Sequence, residues 1–149
     1  MRPSKDKYYL DIAKAVAARG TCRLRNYGVV IVKDDHIIST GYTGSPRGTS
    51  NCIDMTQCSR LDPVQGTGYE WCRSVHAEMN AIIHASIEDL RGSTLYLVGV
   101  PKGENFSKEI EPCRLCKKMI LNAGIQRIVV EGLTGTQREI DSKDWLPSF

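Results

Sequence analysis

Two short fragments of this chain hold residue types that could bind a metal and move protons. One is His76-Ala77-Glu78; the other is Pro112-Cys113-Arg114-Leu115-Cys116. One imidazole and two thiolates, from His76, Cys113 and Cys116, make a three-point zinc site that leaves the fourth position for water, as catalytic zinc requires. Glu78 is then not needed as a ligand and is expected to carry protons, which makes it the candidate catalytic residue. A lone C-x-x-C would equally suit a structural zinc or a redox pair. The H-x-E upstream, at a helix start, shifts the balance to catalysis.

That geometry requires both fragments to begin helices. Helix N-termini favour anions, so Cys113 and Cys116 should have lowered thiol pKa values. Their i, i+3 spacing puts both sulfurs on one face, and Pro112 suits a first-turn position. His76 and Glu78, two apart, point to different sides of a regular helix. They converge only at its very start, where Ser74 is expected as the cap.

The surrounding elements follow from periodicity. Ser4 is a fair N-cap for a helix carrying Tyr8, Tyr9, Ile12, Ala15 and Val16, which Gly20 is expected to close in a left-handed conformation. Residues 27–32 and 36–40 read as a hairpin turning at Asp34-Asp35. The run Val29-Val30-Ile31-Val32 does not alternate, so this strand is expected to be covered on both faces. Residues 41–71 form a long stretch without periodicity that needs a reason. A helix over 75–86, a strand over 94–98, a polar excursion over 101–111 and a helix over 113–123 follow. That last helix should pack Leu115, Met119 and Ile120 and close at Gly124. A strand within 125–130 comes next, then a short strand over 136–140 and a tail anchored by Trp145 and Phe149. The order α-β-β-α-β-α-β, with two β-α-β units, predicts an α/β fold: a mixed sheet between helices.

At 149 residues a single domain over 1–149 is expected. Hydrophobic residues at 41% and charged residues at 25% suit a soluble globular protein. The net charge of +3 tolerates a small anionic substrate and does not argue for a nucleic-acid surface. No apolar h-region follows the N-terminus and no apolar run approaches membrane-spanning length, so a cytoplasmic protein away from membranes is expected. The six cysteines then read as metal ligands or buried thiols rather than disulfides.

The H-x-E…P-C-x-x-C pattern is the signature of zinc nucleoside and nucleobase deaminases. The chain resembles the cytidine deaminase superfamily and, within it, the deoxycytidylate (dCMP) deaminase group, over about residues 9–130. The resemblance rests on Thr21-Cys22, on Ile37-Ile38-Ser39-Thr40-Gly41-Tyr42, on Gly44-Ser45-Pro46, and on His76 through Ile82. It rests further on Thr94-Leu95-Tyr96 and on Pro112-Cys113…Cys116 with Asn122-Ala123-Gly124-Ile125. It implies a three-layer α/β/α sandwich with about five strands and an antiparallel first hairpin. It also implies hydrolytic conversion of dCMP to dUMP, a homo-oligomer, often a hexamer, and response to dCTP and dTTP. Two departures bear on substrate. Thr43 stands where the family usually has an Asn that helps hold the sugar. Residues 100–111 intervene where the family passes almost directly to its Pro-Cys.

Cys22, Cys52, Cys58 and Cys72 remain. Four reduced thiols could close a second, structural zinc site that pins the long loop, or be four ordinary small buried thiols. Some dCMP deaminases carry a structural zinc in this region, and Cys22 and Cys52 fall at matching places. Thr43, Gly44, Ser45 and Asn80 are candidate nucleotide contacts, and by family analogy the backbone N–H of Ala77 meets the base carbonyl. Arg25, with Arg23 and Arg47, is a candidate for a 5′-phosphate, which Arg suits well. Trp71 and Tyr69 could stack on a base or simply pack. His84 lies too far along its helix to be a ligand, and His36 should face solvent.

Two other readings compete. One is deamination of cytidine, guanine or tRNA adenosine. The other is a non-catalytic zinc module, which predicts closed coordination and no need for Glu78.

Overall fold

The four residues Val29, Val30, Ile31 and Val32 are all buried in the computed structural model, which describes residues 1–60, 64–102 and 109–149. They lie in the middle of β1 (Arg25–Lys33), which pairs with β2 (His36–Tyr42) on one side and β3 (Thr94–Pro101) on the other. Strands β4 (Arg127–Glu131) and β5 (Gln137–Asp141) complete a five-stranded sheet in the order β2-β1-β3-β4-β5. The β3–β4 pair is parallel and the other three are antiparallel, so the sheet is mixed, as expected. The hairpin turns at Asp34 and Asp35, both left-handed at φ 49° and 61°. That is the backbone of a two-residue turn whose twist matches its strands. The Tyr9 hydroxyl ties the turn down by donating to Asp35 Oδ1 at 2.7 Å.

The sheet is covered on both faces. Helix α1 (Lys5–Ala17) packs Tyr9, Leu10 and Ala13 on Val30, Val32, Tyr96, Val98 and Val129. Helices α2 (Ala77–Ile83) and α4 (Arg114–Ala123) cover the other face, over Val29, Ile31, Leu95, Leu97, Ile128 and Val130. The four-residue α3 (Ile87–Leu90) lies between α2 and β3 in the chain. This is the α/β/α sandwich that the resemblance implies. Among the described residues no helix is long and apolar enough to cross a membrane.

Several local expectations are corrected. The helix expected over 75–86 is shorter, Ala77–Ile83, and Ser86 starts a separate short helix after it by accepting from the Asp89 N–H at 3.1 Å. Gly20 does not close α1 in a left-handed conformation; the helix ends at Ala17 with Ala18 in the right-handed region. Gly20 serves space instead: a Cβ there would come within 2.4 Å of the Asn26 side chain. Asn26 is buried and its Oδ1 accepts from the Cys22 N–H at 3.0 Å. On α4 the buried face is Cys116, Ile120 and Ala123, and Leu115 is exposed. Gly124 does close α4, at φ 76°.

Candidate active site

Helices α2 and α4 point their N-termini at one place. His76 is the N-cap of α2 and Cys113 that of α4, both with extended backbone (ψ 152° and 167°). Neither side chain caps its own helix. Ser74 is therefore not the cap, and Pro112 sits one residue before the N-cap Cys113 rather than in the first turn of the helix. The condition set by the H-x-E spacing is met all the same, since His76 and Glu78 flank the first helical residue.

His76 Nδ1 lies 3.4 Å from the Sγ atoms of both Cys113 and Cys116, and the three ligand atoms are all within 4.8 Å of one another. Among the described residues this is the one group of that kind. One nitrogen and two sulfurs so close are the donor set of a three-point zinc site. The Cys113 thiol is pulled down to about 4, chiefly by its hydrogen bond with Cys116, with His76 adding to the effect and burial opposing it. The Cys116 thiol is pushed up by the same bond and by burial. Burial disfavours the charged His76 ring, but the Cys113 hydrogen bond and the Glu78 charge outweigh it, so its pKa is raised. The lowering at Cys113 is in the direction that a metal ligand requires.

Glu78 is buried at 6% exposure, and burial raises its carboxyl above the usual range while His76 opposes. A carboxyl that holds its proton more tightly is suited to both taking and giving one near neutral pH. It faces a cavity of about 590 Å³, open mouth included. Its wall includes His76, Cys113, Thr43, Arg25, Arg60 and Tyr69. The Tyr69 ring stands edge-on to His76 at 4.8 Å between centroids.

Other candidates are distributed as follows. Thr43 and Arg25 line the cavity, and Thr43 Oγ1 accepts the Tyr27 N–H at 3.0 Å. Gly44, Ser45, Ala77 and Asn80 do not line it. Gly44 pairs with Val75 by two backbone hydrogen bonds of 3.2 and 2.7 Å, fixing the chain that enters α2. Asn80 Nδ2 donates to the Tyr42 carbonyl at 2.8 Å, tying α2 to β2. Ser45 Oγ is buried and unpartnered among the described residues. Arg23 donates to the Met55 carbonyl and Arg47 lies 3.1 Å from His84, both away from the cavity. Trp71 is 72% exposed.

Cys22 and Cys72 line the cavity and Cys52 is buried, all of them free thiols with Cys58. The four sulfurs are not gathered within 4.8 Å of one another. Burial pushes the Cys52 thiol up, and the charges of Cys22, Cys58 and Cys72 are all felt there. Residues 103–108, within the polar excursion, lie outside the described residues; Glu111 beyond them lines the cavity.

Sequence reasoning missed Arg60 and Gln65, which line the cavity beside Tyr69, the ring named as a possible stacking partner. All three come from the long stretch over 41–71, whose structural reason is now evident: it supplies a cavity wall. Ser59 Oγ donates to the Trp71 carbonyl at 2.7 Å and accepts from the Arg73 N–H at 3.2 Å, which ties this loop to the segment leading to His76.

Comparison with known proteins agrees with this geometry. The profile of the family described as the cytidine and deoxycytidylate deaminase zinc-binding region matches residues 3–132. The deoxycytidylate deaminase of Mycobacterium phage D29 is 38% identical over 135 residues, covering 86% of this chain and 94% of that protein. The deoxycytidylate deaminase of Saccharomyces cerevisiae is 33% identical over 130 residues; the match covers 87% of this chain but 38% of the yeast protein. Among solved structures, the dCMP deaminase of cyanophage S-TIM5 in complex with dCMP and dUMP superposes with a TM-score of 0.64 at 25% identity, covering 88% of this chain and 83% of that one.

Proposed function

The chain belongs to the cytidine and deoxycytidylate deaminase family, and from that membership we propose that it hydrolyses dCMP to dUMP and ammonia. The observation that carries the reading is a buried Glu78 carboxyl beside a His76-Cys113-Cys116 cluster at the floor of an open cavity. His76, Cys113 and Cys116 would hold the zinc. The ion, when bound, supplies the Lewis acidity that makes water a nucleophile near neutral pH.

Glu78 does the proton work. It takes a proton from the attacking water and delivers it to the ring nitrogen as the C–O bond forms. It then takes the second proton from the new hydroxyl and delivers it to the amine as the exocyclic C–N bond breaks and the carbonyl forms, so one carboxyl serves as base and acid in turn. The Ala77 N–H, in the first turn of α2, has no partner within its helix and would receive the base carbonyl. Thr43, whose oxygen accepts from Tyr27, keeps its hydroxyl proton for the nucleotide. Gly44 and Asn80 would act from behind the wall, by fixing the chain that enters α2 and by tying α2 to β2, with Ser45 next to Gly44; Arg25 would attract the phosphate.

Ammonia release measured across dCMP, CMP, deoxycytidine, cytidine, guanine and adenosine tests this reading. dCMP is expected to be the best substrate. A preference for guanine or adenosine would overturn it, and no release from any of them would favour the non-catalytic module.

The finer reading includes a second zinc on Cys22, Cys52, Cys58 and Cys72. It is supported by Cys22 and Cys72 lining one cavity, and by two backbone N–H groups, of Leu24 and Arg25, aimed at Cys22 Sγ at 3.4 Å. Metal analysis should find two zincs per chain, falling to one in Cys52→Ser; a value of one in the unaltered protein removes the site. On the family resemblance we also read the protein as a cytoplasmic homo-oligomer responsive to dCTP and dTTP. Ile83 at 66% exposure and Trp71 at 72% are consistent with a covered face.

A further inference from the structure

Arg60 is 7% exposed, yet among the described residues no carboxylate lies within ion-pairing distance of it. Its Nη2 donates to the Val64 carbonyl, and its guanidinium lies over the Tyr69 ring at 5.2 Å. Its Nε is buried and has no partner among the described residues. A buried cation left this way is unusual, because a charge removed from water normally acquires a counter-charge. The cation–π contact offsets only part of that cost.

The position of Arg60 says where the counter-charge would come from. It lines the cavity with Arg25. Tyr69, under its guanidinium, stands edge-on to His76. Arg60 is thus no further from His76 than two ring contacts laid end to end, and a nucleoside is long enough to span that. Of the two acids in the cavity wall, Glu111 is paired with Lys117 at 2.9 Å, and Glu78 belongs to the proton work at the far end. Among the described residues, the Arg60 end of the cavity therefore lacks an anion.

We infer that Arg60 is the specificity-determining residue that reads the 5′-phosphate of the substrate, taking its counter-charge from the nucleotide itself. This rests on the proposed nucleotide deamination and sharpens it. The buried Arg60 takes the part first given to Arg23 and Arg47. Guanidinium suits the task because its planar fork of donors matches phosphate oxygens. The loop over 41–71 is then a recognition element, since the Ser59 hydrogen bonds hold Arg60 in register with the segment carrying His76.

The test compares substrates with and without the phosphate in Arg60→Gln and Arg60→Lys. The ratio of kcat/KM for dCMP over deoxycytidine should fall at least about tenfold in R60Q, with the loss in the KM for dCMP, as expected for a charge-assisted hydrogen bond. R60K should keep part of the ratio. If both substrates lose activity in step, Arg60 is merely a structural cap for Val64 and the inference fails; an unchanged ratio refutes it as well. Binding of dUMP against deoxyuridine, by calorimetry, gives a reading that needs neither turnover nor a well-folded variant. The unaltered protein should bind dUMP at least about tenfold tighter, and equal affinities overturn the assignment. A protein that binds dUMP tightly but releases no ammonia would refute the proposed reaction while leaving Arg60 in its role.

Discussion

Gly41 holds the active site in place by having no side chain. A Cβ at this position would come within 2.3 Å of the Ala77 carbonyl oxygen and 2.4 Å of the Ala81 nitrogen, both backbone atoms of α2. Ordinary contact lies about 1 Å further out, so Gly41→Ala must push α2 off β2 by roughly that much. The first turn of α2 carries His76, Ala77 and Glu78. Overpacking of this kind costs about 1–3 kcal/mol of stability. A displacement of about 1 Å at the reacting groups costs on the order of a hundredfold in rate. Gly28→Ala is the control, because its Cβ would meet the Ala13 oxygen at 2.1 Å and the Ala17 nitrogen at 2.4 Å, on α1 across the sheet. Both variants should lower the urea midpoint by comparable amounts with unchanged m. Only G41A should lose turnover per folded molecule, read as ammonia release well below its melting temperature. G41A with normal turnover and midpoint would refute the close-packing argument. G28A losing as much turnover as G41A would refute the link between α2 placement and catalysis.

Glu78→Gln removes the proton carrier while preserving the shape of the side chain. It should retain zinc by metal analysis and lose roughly 10²–10⁴ in kcat; full activity would rule out Glu78 as the shuttle. Asp6 lies on α1 and pairs with Arg127 of β4 at 2.7 Å, and it accepts from the Tyr96 hydroxyl at 2.8 Å. Arg127 holds the Asp6 carboxyl below its ordinary value of 3.8. An acid whose folded pKa is lowered stabilises the fold above its unfolded pKa and loses that contribution as pH falls through the folded value. Asp6→Asn should therefore lower stability by about 1 kcal/mol near neutral pH. Its gap from the unaltered protein should close well below pH 3.8, and a gap that persists in acid would show that the pairing is not its source.

The parts of this site legible in the sequence are those where residue type and local spacing suffice. H-x-E and P-C-x-x-C name their own chemistry, and their placing at helix starts follows from periodicity downstream. The unbroken Val29–Val32 run announces a strand buried on both faces, because no half-exposed strand tolerates four apolar residues in succession. Arg60 was beyond reach for a different reason. It sits in a stretch with no periodicity, and nothing in its neighbours separates it from Arg23 or Arg47. Only burial does, with its guanidinium over the Tyr69 ring, and that contact depends on the fold of the loop. Gly20 shows the same gap in miniature. A glycine after a helix fits a left-handed cap or a close approach equally well, and the Asn26 side chain decides for the second.

Two of the three proposed metal ligands, His76 and Cys113, sit at N-caps, with Cys116 in the first turn of α4, and this has an energetic consequence. An N-cap with a side-chain oxygen typically stabilises its helix by about 1 kcal/mol. Helices α2 and α4 both forgo that bond, because His76 and Cys113 turn towards each other instead. The seven-residue α2 is too short to stand on propensity. It is held from outside, by the Asn80–Tyr42 bond, the Gly44–Val75 bridge and its flush contact with Gly41. Helix α4 is held by its own buried face and by Gly124 at its end. The two helix starts are thus anchored independently, and the two segments that meet at the His-Cys-Cys cluster are 37 residues apart in the chain. An ion bound to His76, Cys113 and Cys116 would join them and so tie down by a cross-link the two helix starts that lack a cap bond. Alignment of the catalytic groups and local stability of these helices would then rise and fall together with metal occupancy.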